Sequence, residues 1–300
     1  MKSRLIYWLT YAGMWLLALL PFKVLYILSD GLCFLMHHVV HYRRRVVRAN
    51  LCNAFPEKSA AELRDIEREF YRYICDYMLE EVKMLRMSFK ELCRRMEYDN
   101  KEEYLAMIEK HGGIVLLIPH YANFEWITGM SSIMQEGDIP VQIYKPLHNK
   151  YMDAMFKRIR TRFGGYNVAK HSTAREIIKL CRDNKRVAVG MITDQSPNPN
   201  EAHYWTTFLN QDTVFMDGGE RIARMMNYPV FYCELEKRGR GYCKAYFDLL
   251  TETPKQTAEG EITELFVRRL EQTIRRAPAY WFWSHKRWKL TREDLKKQHE

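Results

Sequence analysis

Pro119-His120-Tyr121-Ala122-Asn123-Phe124-Glu125-Trp126 is the stretch best suited to chemistry. It follows directly on Ile114–Ile118, a short apolar run of the kind found in buried strands. Pro119 biases Ile118 to extended backbone and ends the strand. Asn123 can cap a helix beginning near Phe124. His120 is therefore expected in a strand-to-helix loop, with Glu125 in the first helical turn. A loop imidazole can take a proton near neutral pH. A carboxylate on its other ring nitrogen would fix the tautomer and stabilise the imidazolium; Glu125 is the expected partner. No activated Ser or Cys stands beside the pair, so it needs an outside hydroxyl as nucleophile. The same residues also suit a plain polar turn with a satisfied histidine.

Lys157, Arg158, Arg160 and Arg162 lie within two helical turns, and Arg158 and Arg162 share a face by their spacing. Such a cluster can be a solvated helix face or can bind anions. Asp194-Gln195 follows the apolar run Val187–Ile192 and can bind a sugar hydroxyl, hold the basic helix or merely make a turn. Tyr280–Trp288 interleaves aromatics with His285, Lys286 and Arg287, which fits a membrane interface or an aromatic core stripe. His37, His38 and His41 lack acidic or thiol partners at ligand spacing, so no metal is expected.

The elements that must position these residues alternate. Apolar runs at Ile114–Ile118, Val141–Tyr144, Val187–Ile192, Val230–Leu235 and Tyr242–Leu249 read as strands. Helical patterns fall at Phe124–Met134, Tyr151–Phe163, Thr173–Cys181, Gly218–Met226 and Glu261–Arg276. This predicts an α/β fold: a mixed, largely parallel sheet flanked by helices, with functional residues in loops after strand ends. Upstream, Ser59-Ala60-Ala61-Glu62 is a capping box opening a helix that runs past Tyr71, and Asp76–Met87 continues helical.

The amino terminus differs. Lys2 and Arg4 precede Leu5–Phe22, which carries no charge. Val24–Val40 is a second apolar stretch, interrupted by Asp30, His37 and His38 and followed by Arg43, Arg44, Arg45 and Arg48. Either Leu5–Phe22 crosses a bilayer alone, or both stretches embed in one leaflet beside anionic lipid, the plain alternative being a buried helix pair of a soluble domain. Residues 1–45 are accordingly expected to anchor the chain and 46–300 to form a catalytic domain.

Over its 300 residues, 47 Lys+Arg against 37 Asp+Glu give a net charge of +10, with 47% hydrophobic residues. That excludes a disordered chain and a polytopic membrane protein and points to a negatively charged partner. Nucleic acid is not expected, because no helix-turn-helix, zinc or RNA-binding motif is visible. Seven scattered cysteines without a C-x-x-C pair read as free thiols.

The His-x-x-x-x-Glu motif with Asn123 resembles the signature of the late lipid A acyltransferases, within the wider glycerolipid acyltransferase fold. Tyr144-Lys145-Pro146-Leu147-His148-Asn149, the basic helix ending Phe163-Gly164-Gly165, Asp194-Gln195-Ser196-Pro197, Phe208-Leu209-Asn210 and Trp281-x-Trp283-x-His285-Lys286-Arg287-Trp288 are each similar to segments of that family, in order. Tyr121-Ala122 and Phe124 depart from its usual Gly and Trp, and Lys145 from its usual Arg. The resemblance implies an inner-membrane enzyme with its site on the cytoplasmic face. It would move a fatty acyl chain from an acyl carrier protein thioester, with no cofactor, to a hydroxyl of a lipid A precursor. It implies His120 as general base and Glu125 as its orienter. Asn123, Lys145, Arg158, Arg160, Arg162, Asp194 and Gln195 become the substrate-binding set, with Arg160 or Arg162 and backbone N–H groups as oxyanion donors. A glycolipid, aminoacyl lipid or glycerol phosphate acceptor is the alternative, although no Phe-Pro-Glu-Gly-Thr block is present; so is an inactive membrane-bound binding protein.

Overall fold

The computed structural model describes residues 2–147 and 149–294, with side chains from residue 7 onward; His148 of the sequence motif lies outside the described residues. The chain opens with α1 (Lys2–Leu19) and α2 (Phe22–Phe34), separated by Pro21, and α2 runs on into one π-helical turn, Leu35–Val39. Then come α3 (Arg44–Ala54), α4 (Ala60–Lys83), α5 (Phe89–Arg95), β1 (Met96–Tyr98), α6 (Lys101–His111), β2 (Gly113–Ile118) and β3 (Ile139–Tyr144). They are followed by α7 (Lys150–Thr161), β4 (Tyr166–Ala169), α8 (Thr173–Arg182), β5 (Val187–Ile192), β6 (Tyr204–Phe208) and β7 (Gln211–Phe215). The last elements are α9 (Gly218–Met226), β8 (Val230–Gly239), β9 (Tyr242–Thr251) and α10 (Glu261–Arg276).

Seven strands form one sheet in the order β1-β9-β8-β2-β5-β3-β4. Every neighbour pair is parallel except the β8–β9 hairpin. The mixed, largely parallel sheet expected from the alternating pattern is present. β2 is buried at every position, as its unbroken apolar run requires of a strand covered on both faces. β2 and β5 pair in register from Gly113↔Val187 to Ile118↔Ile192. Residues two positions beyond each strand therefore emerge side by side at the same sheet edge. These residues are His120 and Asp194.

Helix ends follow local chemistry. Ser59 and Glu62 complete the predicted capping box of α4, which is one continuous helix to Lys83. Asn149 starts α7, its side-chain oxygen accepting from the N–H groups of Tyr151 and Met152. α9 approaches β2 closely; a Cβ at Gly219 would lie 2.5 Å from Leu117 Cδ2. β6 and β7 form a separate hairpin whose turn, Leu209-Asn210, has both residues at positive φ.

The amino-terminal segment differs in one respect from the expectation. Among the described residues, the helical stretch that is long and apolar enough to span a bilayer by length and composition is Phe22–Val39, rather than Leu5–Phe22, and only 22% of it is buried. Its polar interruptions are used inward. Tyr26 donates to Glu80 at 3.0 Å, Ser29 to Asp76 at 2.6 Å, and Arg240 joins Asp30 to Asp76 at 2.6 and 2.7 Å. His37 meets Glu67 at 3.2 Å, alongside Arg44 and Arg48. Most outward side chains are apolar, with Leu9, Leu16, Ile27, Phe34 and Val39 exposed beside Lys23, Asp30 and His38. One face of the α1–α2 pair is thus lashed to α4 while the other is left greasy.

Candidate active site

His120 sits in the loop after β2, as its sequence context predicts, but the carboxylate beside it is not Glu125. Asp194 Oδ1 lies 2.6 Å from His120 Nδ1, and Asp194 Oδ2 accepts the His120 backbone N–H at 3.0 Å. Trp281 Nε1 donates to the same Oδ2 at 2.8 Å. Asp194 is fully buried. Burial pushes its carboxyl up, but the His120 charge and the hydrogen bonds from His120 and Trp281 outweigh this and hold it below the ordinary value of 3.8. An ionised carboxylate only accepts, so Nδ1 carries a proton, and the neutral tautomer this selects is the one with its lone pair on Nε2. The imidazole is flanked by Phe124 and Phe282, with ring centroids at 4.9 and 5.7 Å.

Glu125 faces elsewhere. It receives both Nε and Nη2 of Arg160, at 2.9 and 2.5 Å, in a bidentate pair. The reason is the local backbone: Phe124–Ser132 is a 3₁₀ helix rather than an α-helix, and its first turn aims Glu125 toward α7. Burial works against the Arg160 charge, but Glu125 outweighs it and raises the guanidinium above its ordinary value. Arg160 Nη1 makes no hydrogen bond among the described residues.

Asn123 neither caps that helix nor reaches the cleft. It is buried and its Nδ2 donates to Glu80 Oε2 at 2.7 Å, which makes it a scaffold contact. Arg162 is likewise taken from the expected binding set. Its guanidinium donates to the carbonyls of Met84 at 2.7 Å, Leu85 and Met87, closing the end of α4. Arg158 is exposed on α7 and outside the cleft lining. Lys145, Arg160 and Gln195 do line it.

The cleft holding His120 has a volume of about 630 Å³. Ile143, Leu147, Phe156, Met191 and Met216 give it apolar walls, while the cations Lys145, Lys157, Arg160, Lys170 and Arg221 line it together with the carboxylates of Glu125, Asp153, Glu201 and Asp217. Three of these cations are already paired: Lys157 with Asp153 at 2.9 Å, Lys170 with Glu201 at 2.7 Å, and Arg160 with Glu125.

One departure from the expected motif has a structural consequence. Ala122 stands at φ +47, a conformation that Gly adopts freely and Ala at a cost of about 1 kcal/mol. The strain is held by two bonds: Tyr73 Oη donates to the Ala122 carbonyl at 2.8 Å, and Ala122 N–H donates to Tyr280 O at 2.9 Å. Trp281 is the residue whose role at the base sequence reasoning missed; the only available signal was its place in an aromatic-basic cluster.

A partly exposed histidine backed by a buried aspartate at the sheet edge, opening on a cleft with apolar and charged walls, is an arrangement that can take a proton from a hydroxyl. Residues 1–290 match the family model described as bacterial lipid A biosynthesis acyltransferase, and the chain belongs to that family. It is similar to the lipid A biosynthesis lauroyltransferase of Escherichia coli (strain K12), at 23% identity over 96% of this chain and 94% of the relative. It is also similar to the palmitoleoyltransferase of the same organism, at 21% over 94% and 92%. A Haemophilus influenzae lipid A biosynthesis acyltransferase is 21% identical over 92% and 86%.

Proposed function

We propose that this protein transfers a fatty acyl chain from an acyl carrier protein thioester to a hydroxyl of a lipid A precursor. The observation that carries the reading is the 2.6 Å His120–Asp194 pair, whose imidazole lines a cleft walled by both apolar and charged groups while its carboxylate is buried behind it, in a member of this family. His120 Nε2 takes the acceptor hydroxyl proton, and Asp194 steadies the imidazolium through Nδ1. The alkoxide attacks the thioester carbonyl, a C–O bond forms, and the tetrahedral oxyanion collapses with cleavage of the C–S bond. The departing thiolate receives the proton back from His120. Arg160 Nη1, held at the cleft by Glu125, is suited to meet the oxyanion or an acceptor phosphate. The apolar walls suit the acyl chain, and Lys145 and Gln195 the polar head.

The exposed apolar face of α1–α2 is suited to one leaflet of the inner membrane, with the basic run Arg43–Arg48 at anionic lipid on the cytoplasmic side. One-leaflet seating is favoured because Tyr26, Ser29 and Asp30 on α2 and His37 on the π-helical turn that follows are all engaged by the protein body.

Purified protein in detergent, given acyl carrier protein loaded with labelled fatty acid, should add one acyl mass to a lipid A precursor. Transfer to glycerol phosphate or an aminoacyl lipid instead, with none to the saccharolipid, would overturn the acceptor assignment. In that assay Lys145→Gln should raise the acceptor KM about fivefold, corresponding to ~1 kcal/mol for a solvent-exposed cation on an anionic group. Arg158→Gln should stay within about twofold of wild type, since its side chain lies outside the cleft.

A further inference from the structure

The catalytic pair is gripped by a short segment that the reaction itself does not use, residues 281–288. Trp281, only 3% exposed, reaches the buried Asp194 carboxylate. Two residues beyond Asp194, the Ser196 N–H donates to His285 Nε2 at 3.2 Å. Burial, then the nearby Arg287 and His120 charges, push His285 down to about 4, so near neutral pH its ring is uncharged and Nε2 can accept.

The segment is itself tied down on three sides. Asn50 Nδ2 donates to the carbonyls of Trp283 and His285, at 2.8 and 3.0 Å, and Arg43 to that of Ser284 at 2.9 Å. Trp288 Nε1 donates to Thr213 Oγ1 at 2.8 Å. The buried Arg287 donates to Val214 O at 2.6 Å and lies 4.3 Å from the Phe215 ring centroid. The Trp281 ring packs edge-on against Trp283 and Phe208, at 4.8 and 5.8 Å.

This arrangement answers a mechanical problem. Asp194 lies on a loop, and a loop carboxylate can rotate about two torsions. A general base needs its partner held to roughly 0.5 Å. The Trp281 donor assigns Oδ2 to itself and to the His120 backbone, which leaves Oδ1 aimed at Nδ1. The Ser196–His285 bond fixes the loop that carries the carboxylate.

We propose that Trp281 and His285 are positioning residues for acyl transfer, Trp281 setting the orientation of the Asp194 carboxylate and His285 the conformation of the Asp194–Ser196 loop. The proposal rests on the acyl-transfer reading above.

Trp281→Phe keeps the ring and removes the donor. It should lower kcat about 10–100-fold and leave both KM values within threefold. Losing a hydrogen bond to the charged carboxylate makes Asp194 more basic, so the acid limb of kcat/KM should move to higher pH. The titratable groups facing Asp194 are His120, His285, Arg287 and Tyr232, and all remain in this variant. His285→Ala should lower kcat about tenfold, and His285→Gln, whose amide oxygen can take the Ser196 N–H, should recover most of it. Trp283→Phe is the structural control. It loses a bond to Pro278 O and should lower Tm without moving the acid limb.

A second measurement does not need turnover. In protein with ¹⁵N-labelled histidine, the downfield His120 Nδ1–H resonance should shift and broaden in Trp281→Phe. An unchanged resonance and unchanged kcat in folded Trp281→Phe would refute positioning. An inactive wild type whose resonance still shifts would refute the acyl-transfer reading while sustaining the positioning role.

Discussion

Asp194→Asn should lower kcat by about 10³–10⁴-fold with both KM values little changed, although every heavy-atom position is preserved. The carboxylate of Asp194 accepts three N–H bonds, two from His120 and one from Trp281. An amide offers one oxygen and one NH₂. If the oxygen stays with Trp281 and the His120 backbone, the NH₂ faces Nδ1 and forces the opposite tautomer. The proton then sits on Nε2, where the acceptor hydroxyl should lose its own. If the amide flips, a donor faces two buried donors, which costs roughly 1–3 kcal/mol of stability. His120→Ala should fall to the same residual rate, and the double variant no lower, because the two residues act as one unit. Steady-state kinetics on the two single variants and the double variant decides this; rates that multiplied would mean independent roles.

The same carboxylate makes a statement about pH. Its folded value lies below the ordinary 3.8, so its contribution to stability is complete above 3.8 and is lost only as pH falls through the lower folded value. His285 behaves differently. Its folded value of about 4 lies below the ordinary 6.5, so the unfolded chain binds more protons and stability declines as pH falls from about 6.5 to 4.

Much of this molecule could be read from local patterns, and the failures have a common cause. Val187–Ile192, Gly218–Met226 and Glu261–Arg276 are found where hydrophobic periodicity places them, because each presents its own face to the core. The strands β1 and β4 have three and four residues and exist only through their neighbours, so periodicity has nothing to register. At the site, His120 was visible in its loop, but its partner was sought among residues a turn away. The true partner is 74 positions distant in sequence and is delivered by the register Ile118↔Ile192. Asp194 after a strand of equal length was a signal of that kind. Arg162 illustrates the reverse. Its spacing from Arg158 suggested a shared anion-binding face, yet carbonyls at the end of α4, far off in sequence, had the stronger claim on its donors.

Glu125→Gln should separate the two carboxylates by effect. The variant removes the charge that balances Arg160, a guanidinium 20% exposed against a carboxylate 13% exposed. Breaking a buried pair by deleting one partner costs about 3–5 kcal/mol, and the residual exposure of both groups places this case near ~3 kcal/mol. Thermal denaturation should therefore show a Tm lower by roughly 5 °C. Activity should also fall, by about 10²-fold, because Arg160 is no longer clamped at the cleft to donate through Nη1. The Asp194–His120 bond is untouched by this change. The acid limb of kcat/KM should consequently stay where it is in Glu125→Gln and move in Trp281→Phe. A limb that moved with Glu125 instead would return to that residue the role of partner to the base and take it from Asp194.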